Sequence, residues 1–366
     1  MKVLQVITSL LNGGAETIVV NLTTQLRRMG HVVDVCVFNG EETPLMERLR
    51  RESPGVKVYK LGRGYYDLRY VPRLAKIMRG YDVVHAHNSS PQLFVALASL
   101  RCPKVRLVTT EHNTTNRKRQ MAWMKPVERW MYRRYDHTVC ISDIAEKLLR
   151  EYLGGAWMDS KSAIYNKVST IANGVDVNAI HEAEADGELL KQKGGRCAIV
   201  MVARFRAQKD QDTLMRALAR LNKDAFEVWF AGEGERLEEV QQLAKGMSVA
   251  DNVQFLGLRT DVPQVLHAAD IVVMSSHWEG LSLSNIEGMS AGKPFIASDV
   301  NGLREVTKGY GELFPEGDDK TLAEIIQRLH DDTDYYQQVA GRCWQRAQEF
   351  DITKMVAAYN KVYQSL

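Results

Sequence analysis

Two series of short apolar runs alternate with longer amphipathic stretches along the chain. The first series contains VLQVIT, VVDVCVF, DVVHAH, VRLVTTEH and HTVCIS, with a helical pattern over residues 16–29. The second contains CAIVMVARF, FEVWFAGEG, VQFLG, IVVMSS and PFIASD, with helical patterns over residues 212–221 and 237–245. Strands that alternate with helices in this way predict parallel sheets covered by helices on both faces. We therefore expect an α/β protein in which each series forms one doubly wound domain.

The length of the chain supports this division. A chain of 366 residues is longer than one ordinary core requires and suits two domains. The stretch HEAEADGELLKQKGG between the two series is polar and ends in glycines, as linkers do. We place the first domain over residues 1–178 and the second over 179–351. A last helix is predicted from residue 352, and its pattern leaves open which domain it packs on.

The composition is that of a soluble globular protein. Apolar residues make up 45% and charged residues 25%, which excludes disordered, collagen-like and disulfide-scaffold classes. No apolar stretch reaches the roughly 18 residues that cross a bilayer, and the first run fits a buried strand better than a signal peptide. The five cysteines are scattered without CxxC pairs, so we predict neither disulfides nor a zinc site. A cytoplasmic location is expected.

Residues 275–299, SSHWEGLSLSNIEGMSAGKPFIASD, carry the strongest chemical signal. A loop after an apolar strand leads there into a helix, whose first amides and dipole favour an anion such as a diphosphate. Glu279 and Glu287 flank this loop, and ionised carboxylates accept hydrogen bonds from vicinal hydroxyls of a sugar or ribose. Solvation or the helix dipole explains either carboxylate alone, whereas the pair with the loop favours a nucleotide sugar. The loop consists of Gly280, Leu281, Ser282, Leu283 and Ser284.

Two other strand ends of the second series carry candidate ligand-binding residues. Arg204 and Lys209 follow CAIVMVARF, where two cations would neutralise a leaving diphosphate. Solvated surface charge is the ordinary alternative for such a cluster. Gly232 and Gly234 lie in FAGEGE and permit a ligand to approach the backbone closely, although a plain turn explains them equally well.

The first series offers glycines and histidines at its strand ends. Gly13 and Gly14 follow the first strand without the GxGxxG dinucleotide fingerprint, so the loop passes under a sugar or phosphate or is simply a tight turn. His85 and His87 form an HxH pair, but no third ligand accompanies them, and we predict no metal site. His112 is the better functional candidate, with a satisfied core histidine as the alternative.

These motifs stand together in the order found in glycosyltransferase family 4, which the chain resembles over nearly its whole length. The E-x7-E element with its EGLSLSNIE loop is the specific part of the resemblance. The motifs are GG at 13–14, EH at 111–112, ANGVD at 172–176, R-x4-K at 204–209, AGEGE at 231–235 and E-x7-E at 279–287.

The resemblance implies a GT-B fold of two facing Rossmann-like domains with a cleft between them, no metal, no cofactor, and retention of the donor's anomeric configuration. It also implies that residues 352–366 cross back onto the first domain. By the same resemblance Arg204 and Lys209 would bind the diphosphate, and Glu279 the hydroxyls of the transferred sugar. Glu287 would bind the ribose diol, and the Gly280–Ser284 amides the sugar and phosphate. His112 and Gly14 would line the donor and acceptor side, and Gly232 would bind the donor. The catalytic residues would be Glu279, His112, Arg204 and Lys209.

The implied reaction moves a sugar from a nucleotide-diphosphate donor to a saccharide or lipid-linked acceptor, as in surface polysaccharide assembly. UDP-hexose or UDP-N-acetylhexosamine is the preferred donor on the frequency of such donors in the family. Two alternatives remain open at this stage. One is a GT-B-fold sugar-nucleotide epimerase, and the other is a non-catalytic nucleotide-sugar-binding subunit.

Residues 117–135, RKRQMAWMKPVERWMYRRY, contain seven basic residues and one acidic residue, while the whole chain has a formal charge of only +3. Aromatic residues interleaved with cations suit the headgroup region of an anionic membrane, so we expect peripheral attachment at the inner face of the cell membrane. A solvated helix whose tryptophans face the core is the alternative, and nucleic acid is not a predicted partner. The proposed contact residues are Arg117, Lys118, Arg119, Trp123, Lys125, Arg129, Trp130, Arg133 and Arg134.

Overall fold

The chain divides into two compact units. The computed structural model describes residues 1–11, 13–112, 121 and 123–366. The first unit comprises Met1–Asn173 together with Ile352–Leu366, and the second comprises Gly174–Asp351. The last helix of the chain therefore belongs to the first unit, an assignment that the pattern of the sequence alone left open.

The first unit is built on a seven-stranded sheet in which every neighbouring pair is parallel. The strand order is β3-β2-β1-β4-β5-β6-β7, so the order reverses between β1 and β4. The strands are β1 (Lys2–Ile7), β2 (Val32–Asn39), β3 (Val58–Gly62), β4 (Val83–His87), β5 (Arg106–Glu111), β6 (His137–Cys140) and β7 (Val168–Thr170).

Helices cover both faces of this sheet, as the alternating pattern predicts. Side chains alternate between faces along a strand, so Leu4 and Val6 pack beneath α3 to α6 while Ile7 packs beneath α1 and α2. Gln5 belongs to this second face by the same alternation. The helices are α1 (Gly14–Arg28), α2 (Pro44–Glu52), α3 (Tyr70–Met78), α4 (Ser89–Ser99), α5 (Met124–Arg134), α6 (Asp143–Leu153) and α16 (Ile352–Ser365).

The second unit has a six-stranded parallel sheet of the same kind. Its order is β10-β9-β8-β11-β12-β13, so the reversal falls between β8 and β11. The strands are β8 (Cys197–Val202), β9 (Phe226–Ala231), β10 (Val253–Gly257), β11 (Ile271–Met274), β12 (Phe295–Ser298) and β13 (Glu312–Phe314). The fold class predicted from the sequence, two doubly wound parallel-sheet domains, is thus confirmed.

The helices of the second unit begin at side-chain caps in several places. Asp210 accepts a hydrogen bond from the Thr213 amide at 3.2 Å at the start of α9, and Asp318 caps α14 in the same way. The helices are α7 (Val177–His181), α8 (Gly187–Lys193), α9 (Gln211–Arg220), α10 (Leu237–Gly246), α11 (Val262–Ala268), α12 (Leu283–Ser290), α13 (Arg304–Thr307), α14 (Asp319–Asp331) and α15 (Thr333–Ala347).

The polar stretch around residues 178–195, expected to be a linker, instead contains α7 and α8. Asp186 caps α8 through the Leu189 amide at 3.1 Å and pairs with Arg259 at 2.6 Å. The buried Leu189 side chain anchors the helix. A short helix with a single apolar anchor has too weak a periodic pattern to be recognised from its composition.

None of the described residues belongs to a helix long and apolar enough to span a membrane. All five cysteines are buried and unpaired with one another. Burial raises the pKa of the Cys197 and Cys343 thiols to about 12, which keeps them protonated and inert.

Candidate functional site

The loops that follow β8 and β11 form one connected structure in the second unit. The Ser275 hydroxyl donates to the Asp210 carbonyl oxygen at 2.7 Å. The His277 amide donates to the Gln208 carbonyl at 2.8 Å, and the Gln208 side chain donates to the Trp278 carbonyl at 2.6 Å. Both loops lie at the carboxyl ends of strands that flank the reversal of strand order, which is where doubly wound sheets bind ligands.

Lys209 and Glu279 meet at this junction. Their side chains form a salt bridge, and they are only 17% and 8% exposed. The Ser276 hydroxyl donates to the same Glu279 oxygen at 2.7 Å. A carboxylate held by two donors has a set orientation, and a partly buried cation beside it exerts a stronger field than one in water. The sequence predicted both charged residues but not their mutual contact, and it missed Ser276.

Arg204 occupies a different position in the β8 loop. Its side chain is exposed, whereas the neighbouring Phe205 is fully buried and anchors the loop. The Arg204 carbonyl accepts a hydrogen bond from the Gln211 side chain at 2.9 Å. Arg206 is also exposed and lies 3.7 Å from Glu235. The loop therefore presents Arg204 to solvent and Lys209 to Glu279.

The predicted anion-binding loop, residues 280–284, leads into α12 as expected. Ser282 occupies the N-cap position but does not cap the helix with its side chain; its hydroxyl faces the Met274 sulfur at 3.5 Å. Leu281 and Ser282 are buried, and Glu287 is half-buried one turn into the helix. The first amides of α12 therefore receive no bond from the Ser282 hydroxyl, an arrangement compatible with an anionic ligand.

The glycines of FAGEGE allow the chain to approach itself. A Cβ atom on Gly232 would lie 2.1 Å from the Ala203 carbonyl oxygen, and one on Gly234 would lie 2.3 Å from that of Phe205. The Phe205 amide donates to the Glu233 carbonyl at 3.0 Å. Both glycines are thus required to pack the β9 loop against the β8 loop, which holds the Arg204–Lys209 segment in place.

Gly302 plays a similar role beside Glu279 and was missed in the sequence. Its φ of +87° is strained for any residue with a side chain, and a Cβ there would lie 2.0 Å from the Gly280 carbonyl oxygen. The Glu279 amide also donates to the Asn301 carbonyl at 3.2 Å. The Asn-Gly pair at 301–302 is a turn signal that could have drawn attention to this segment.

In the first unit, the glycines after β1 lie at the start of α1. Gly14 is the first helical residue, and Gly13 precedes it in an extended conformation. A Cβ on Gly13 would lie 2.2 Å from a carboxylate oxygen of Glu16. The Thr17 hydroxyl donates back to the Gly13 carbonyl at 3.0 Å. The absence of a side chain at position 13 therefore makes room for the Glu16 carboxylate at the positive end of the helix.

The histidines of the first unit form a buried hydrogen-bonded cluster. His85 Nδ1 lies 2.6 Å from the Tyr363 hydroxyl. His87 Nε2 lies 2.8 Å from Gln5 Oε1, and His87 Nδ1 lies 2.9 Å from His112 Nε2. Burial lowers the pKa of all three histidines, that of His112 to about 4, so they are neutral near pH 7. Their contacts are with side chains of the fold; among the described residues, no group of three or more His, Cys, Asp or Glu side chains is placed to hold a metal ion.

Glu111 of the EH pair connects β5 to two helices. Its carboxylate accepts a hydrogen bond from the Gln92 side chain of α4 at 2.6 Å and another from the Tyr132 hydroxyl of α5. Glu111 is only 7% exposed. The two residues of the motif therefore have different surroundings, since Glu111 holds helices to the sheet while the partly exposed His112 follows the end of the strand.

The basic-aromatic segment is described from residue 123 onward, and Arg117, Lys118 and Arg119 lie outside the described residues. Trp123, immediately before α5, and Trp130, on α5, are 67% and 37% exposed, so they do not face the core. Arg133 and Arg134 are exposed as well. Three of the predicted contact residues that the structure describes have partners within the fold. Arg129 Nε donates to the Leu153 carbonyl at 2.6 Å, Arg134 donates to the Ser99 hydroxyl at 3.3 Å, and Lys125 lies over the Tyr152 ring.

Comparisons with known proteins agree with this picture. The family model described as Glycosyltransferase Family 4 matches residues 12–179, and that described as Glycosyl transferases group 1 matches residues 184–343. The crystal structure of HepE from Anabaena in complex with UDP-glucose superposes with a TM-score of 0.85 over 100% of both chains, at 22% identity. This likeness shows the GT-B fold.

Two curated relatives cover most of the chain. It is 26% identical to UDP-Gal:alpha-D-GlcNAc-diphosphoundecaprenol alpha-1,3-galactosyltransferase of Escherichia coli in an alignment that covers 73% of this chain and 71% of that protein. It is 22% identical to N-acetyl-alpha-D-glucosaminyl L-malate synthase of Bacillus anthracis in an alignment that covers 96% of this chain and 93% of that protein. Because the two family models together span residues 12–343 with only a short gap, the chain belongs to glycosyltransferase family 4 and is a glycosyltransferase.

Proposed function

We propose that this glycosyltransferase transfers a hexose or N-acetylhexosamine from a UDP-linked donor to a saccharide or lipid-linked acceptor, with retention of anomeric configuration. The observation that carries the proposal is the buried Lys209–Glu279 pair at the strand-order reversal of the second unit. It lies in the loop network that leads into α12, so that a cation, a carboxylate and helix amides occupy neighbouring segments of one loop system.

The proposed role of this site is electrostatic. Cleavage of the bond between the sugar and the diphosphate leaves negative charge on the leaving group, which preoriented cations and amides stabilise. Lys209 is held in place by Glu279, and the exposed Arg204 is available to close onto a phosphate. Glu279, with one oxygen bonded to Lys209 and Ser276, has a second oxygen to accept from a sugar hydroxyl. Glu287 would accept from the ribose diol. No cofactor or metal enters this proposal.

The relatives support the choice of donor and acceptor. HepE was crystallised with UDP-glucose. The name of the Escherichia coli relative specifies UDP-Gal as donor and a sugar-diphosphoundecaprenol as acceptor. A lipid-linked acceptor places the reaction at a membrane surface, and we propose the cytoplasmic face, where nucleotide sugars are available.

The experiment is a donor screen followed by a transfer assay. Purified protein is tested for thermal stabilisation by UDP-glucose, UDP-galactose, UDP-N-acetylglucosamine and GDP-mannose, since a ligand bound only by the native state raises the melting temperature. The stabilising donor is then incubated with and without a diphospholipid-linked monosaccharide. We expect a glycosylated lipid whose new linkage has the anomeric configuration of the donor. Inversion of that configuration, or rearrangement of the donor without acceptor, would contradict the proposal.

We propose in addition that the exposed face of α5 contacts an anionic membrane. Trp123, Val127 and Trp130 recur at helical spacing and are exposed, with Arg133 and Arg134 close behind them. Basic side chains near an anionic surface contribute about 1 kcal/mol each, and tryptophan favours the interface.

Vesicle sedimentation tests this second proposal. The protein should bind phosphatidylglycerol vesicles at low salt and dissociate at high salt, because the Debye length shortens. Replacement of both Trp123 and Trp130 by serine should weaken binding, whereas Leu190→Ser, at an exposed apolar position on α8, should not. Equal binding to neutral phosphatidylcholine vesicles, or equal loss in both variants, would refute the proposed contact.

A further inference from the structure

A line of polar side chains crosses the first sheet where its strand order reverses. Gln5 lies on β1, His87 at the carboxyl end of the adjacent β4, and His112 just after β5. The line runs from Gln5 Oε1 to His87 Nε2 at 2.8 Å, and from His87 Nδ1 to His112 Nε2 at 2.9 Å. Gln5 and His87 are fully buried, whereas His112 is partly exposed. Only the last member of the line can therefore meet a ligand.

The other end of the line is anchored by the last helix. The Gln5 side-chain amide donates through Nε2 to the Tyr363 hydroxyl at 3.3 Å, and Tyr363 belongs to α16. In the structure it is the Oε1 atom of this amide that faces His87 Nε2, at 2.8 Å. Because an amide oxygen only accepts hydrogen bonds, His87 must donate through Nε2.

The remaining protons follow from the chemistry of neutral imidazole. A neutral ring has one donor and one acceptor nitrogen, and burial keeps His87 neutral by lowering its pKa well below the usual value. Since its Nε2 donates, its Nδ1 accepts, and the hydrogen must come from His112 Nε2. The ring of His112, itself neutral, then has its lone pair on Nδ1.

We propose that Gln5 and His87 are positioning residues that hold His112 as the Nε2–H tautomer, so that its Nδ1 atom accepts a hydrogen bond from a hydroxyl group of the transferred sugar. This inference rests on the proposed function for its substrate, but its tautomer assignment is independent of it. A fixed acceptor selects a ligand group that can donate. It also orients the ring before the donor binds, so that less ordering is required on binding.

Nitrogen NMR of protein labelled with ¹⁵N-histidine tests the tautomer directly. The protonated and unprotonated nitrogens of a neutral ring resonate far apart, and the His112 signals are assigned from their loss in His112→Gln. We expect a protonated Nε2 and an unprotonated Nδ1 for His112 near pH 7. A His112 ring protonated at Nδ1 would overturn the proposal. This measurement requires no substrate, so it decides the inference even if the wild-type protein transfers no sugar.

Kinetics of two nearly isosteric variants test the positioning role. The Asn side chain of His87→Asn can place an oxygen near the former Nδ1 atom and accept from His112, whereas His87→Leu cannot. We expect His87→Leu to lower kcat/KM for the nucleotide sugar by about five- to a hundredfold, as for one buried partner left unsatisfied, and His87→Asn to recover most of it. His137→Leu, which removes a half-buried histidine bonded to Ser169 on β6–β7, serves as the control and should leave kcat/KM unchanged.

The affinity for free UDP separates positioning from general damage. Because His112 is proposed to meet the sugar and not the nucleotide, His87→Leu should bind UDP as tightly as the wild type. Equal kinetic losses in His87→Leu and His87→Asn, or a parallel loss of UDP affinity, would show that His87 serves only the packing of the fold. The NMR test uses the wild-type protein, so it still decides the tautomer if either variant folds poorly.

Discussion

At the scale of single residues, the site depends on contacts whose partners are distant in sequence. Lys209 and Glu279 are seventy positions apart and form a salt bridge. The motif spacing indicated that each residue belongs to a ligand site, but spacing contains no information about which side chains touch. That information came from the parallel order of β8 and β11, which brings their following loops together.

Replacement of Lys209 by methionine should lower kcat/KM by about a hundredfold or more, as for loss of one group that stabilises charge in the transition state. The neighbouring Glu279, mostly buried, would also lose a cation. Lys193→Met is the matched control, because Lys193 is similarly buried (14% exposed) and pairs with Asp270 in the same unit but precedes β8. Steady-state kinetics with the preferred donor measure both. Comparable activity losses in the two variants would argue against a specific role for Lys209.

Gly232→Ala should destabilise the second unit by about 1–3 kcal/mol, because the new methyl group would overlap the Ala203 carbonyl and the loop must shift. Gly341→Ala, in the interior of α15 with open space around it, should instead stabilise by about 0.5–1 kcal/mol. Urea unfolding at neutral pH measures both changes. A Gly232→Ala protein as stable as the wild type would show that the loops after β8 and β9 can move apart with little loss of stability, contrary to this prediction.

At the scale of elements, α16 packs against the sheet of the first unit and is bonded to its strands. Tyr359 and Tyr363 on this helix are buried, and their hydroxyls bond to Thr110 of β5 and to Gln5 and His85 of the neighbouring strands. The sequence predicted a helix from residue 352, where α16 begins, but a pattern of buried positions does not specify the surface that buries them. The tyrosine hydroxyls do so here, because buried polar groups require specific partners.

The histidine cluster beneath this helix predicts a pH dependence of stability. Burial lowers the pKa of His85, His87 and His112, the last to about 4, from 6.5. Between pH 6.5 and about 4 the unfolded chain therefore binds protons that the folded chain does not, so the free energy of unfolding falls as the pH falls. Each histidine contributes up to about 1.4 kcal/mol per pH unit.

Urea unfolding at pH 7.0, 5.5 and 4.5 measures this dependence. The variant His112→Gln should show a shallower decline over the same window, because one titrating group is gone. The pKa of Glu42 is lowered to about 2, so its protonation reduces the free energy of unfolding only below about pH 4.5. Between pH 6.5 and 4.5 the change in stability should therefore come largely from the histidines. If the free energy of unfolding stayed constant from pH 6.5 to 4.5, the histidines would take up protons equally in the folded and unfolded chain, and the prediction would be wrong.

At the scale of the whole molecule, each unit has its own sheet, its own strand-order reversal and its own set of candidate ligand-binding residues. The charged residues of the proposed donor site all belong to the second unit, and the histidine line belongs to the first. Binding of free UDP should therefore be felt mainly by the second unit.

Hydrogen exchange with and without UDP tests this division. At a hundredfold excess over Kd, a ligand stabilises the native state by about 2.7 kcal/mol, and we expect slower exchange in peptides covering 203–210 and 279–288. Peptides from β1, β4 and β5 should change little, since UDP lacks the sugar proposed to meet His112. Protection confined to the first unit would place the nucleotide there and contradict the assignment of Lys209 and Glu287.

The sequence by itself determined the fold class, the two parallel sheets and most strand ends that carry chemistry, because these depend on local periodicity and on which residue types follow a strand. Only the tertiary structure decided the partners of those residues. The Lys209–Glu279 bridge, the packing of Gly302 on Glu279 and the line from Tyr363 to His112 all join segments far apart in the chain. A hydrogen bond depends on distance and direction in space, and these are set only when the sheet brings the strand ends side by side.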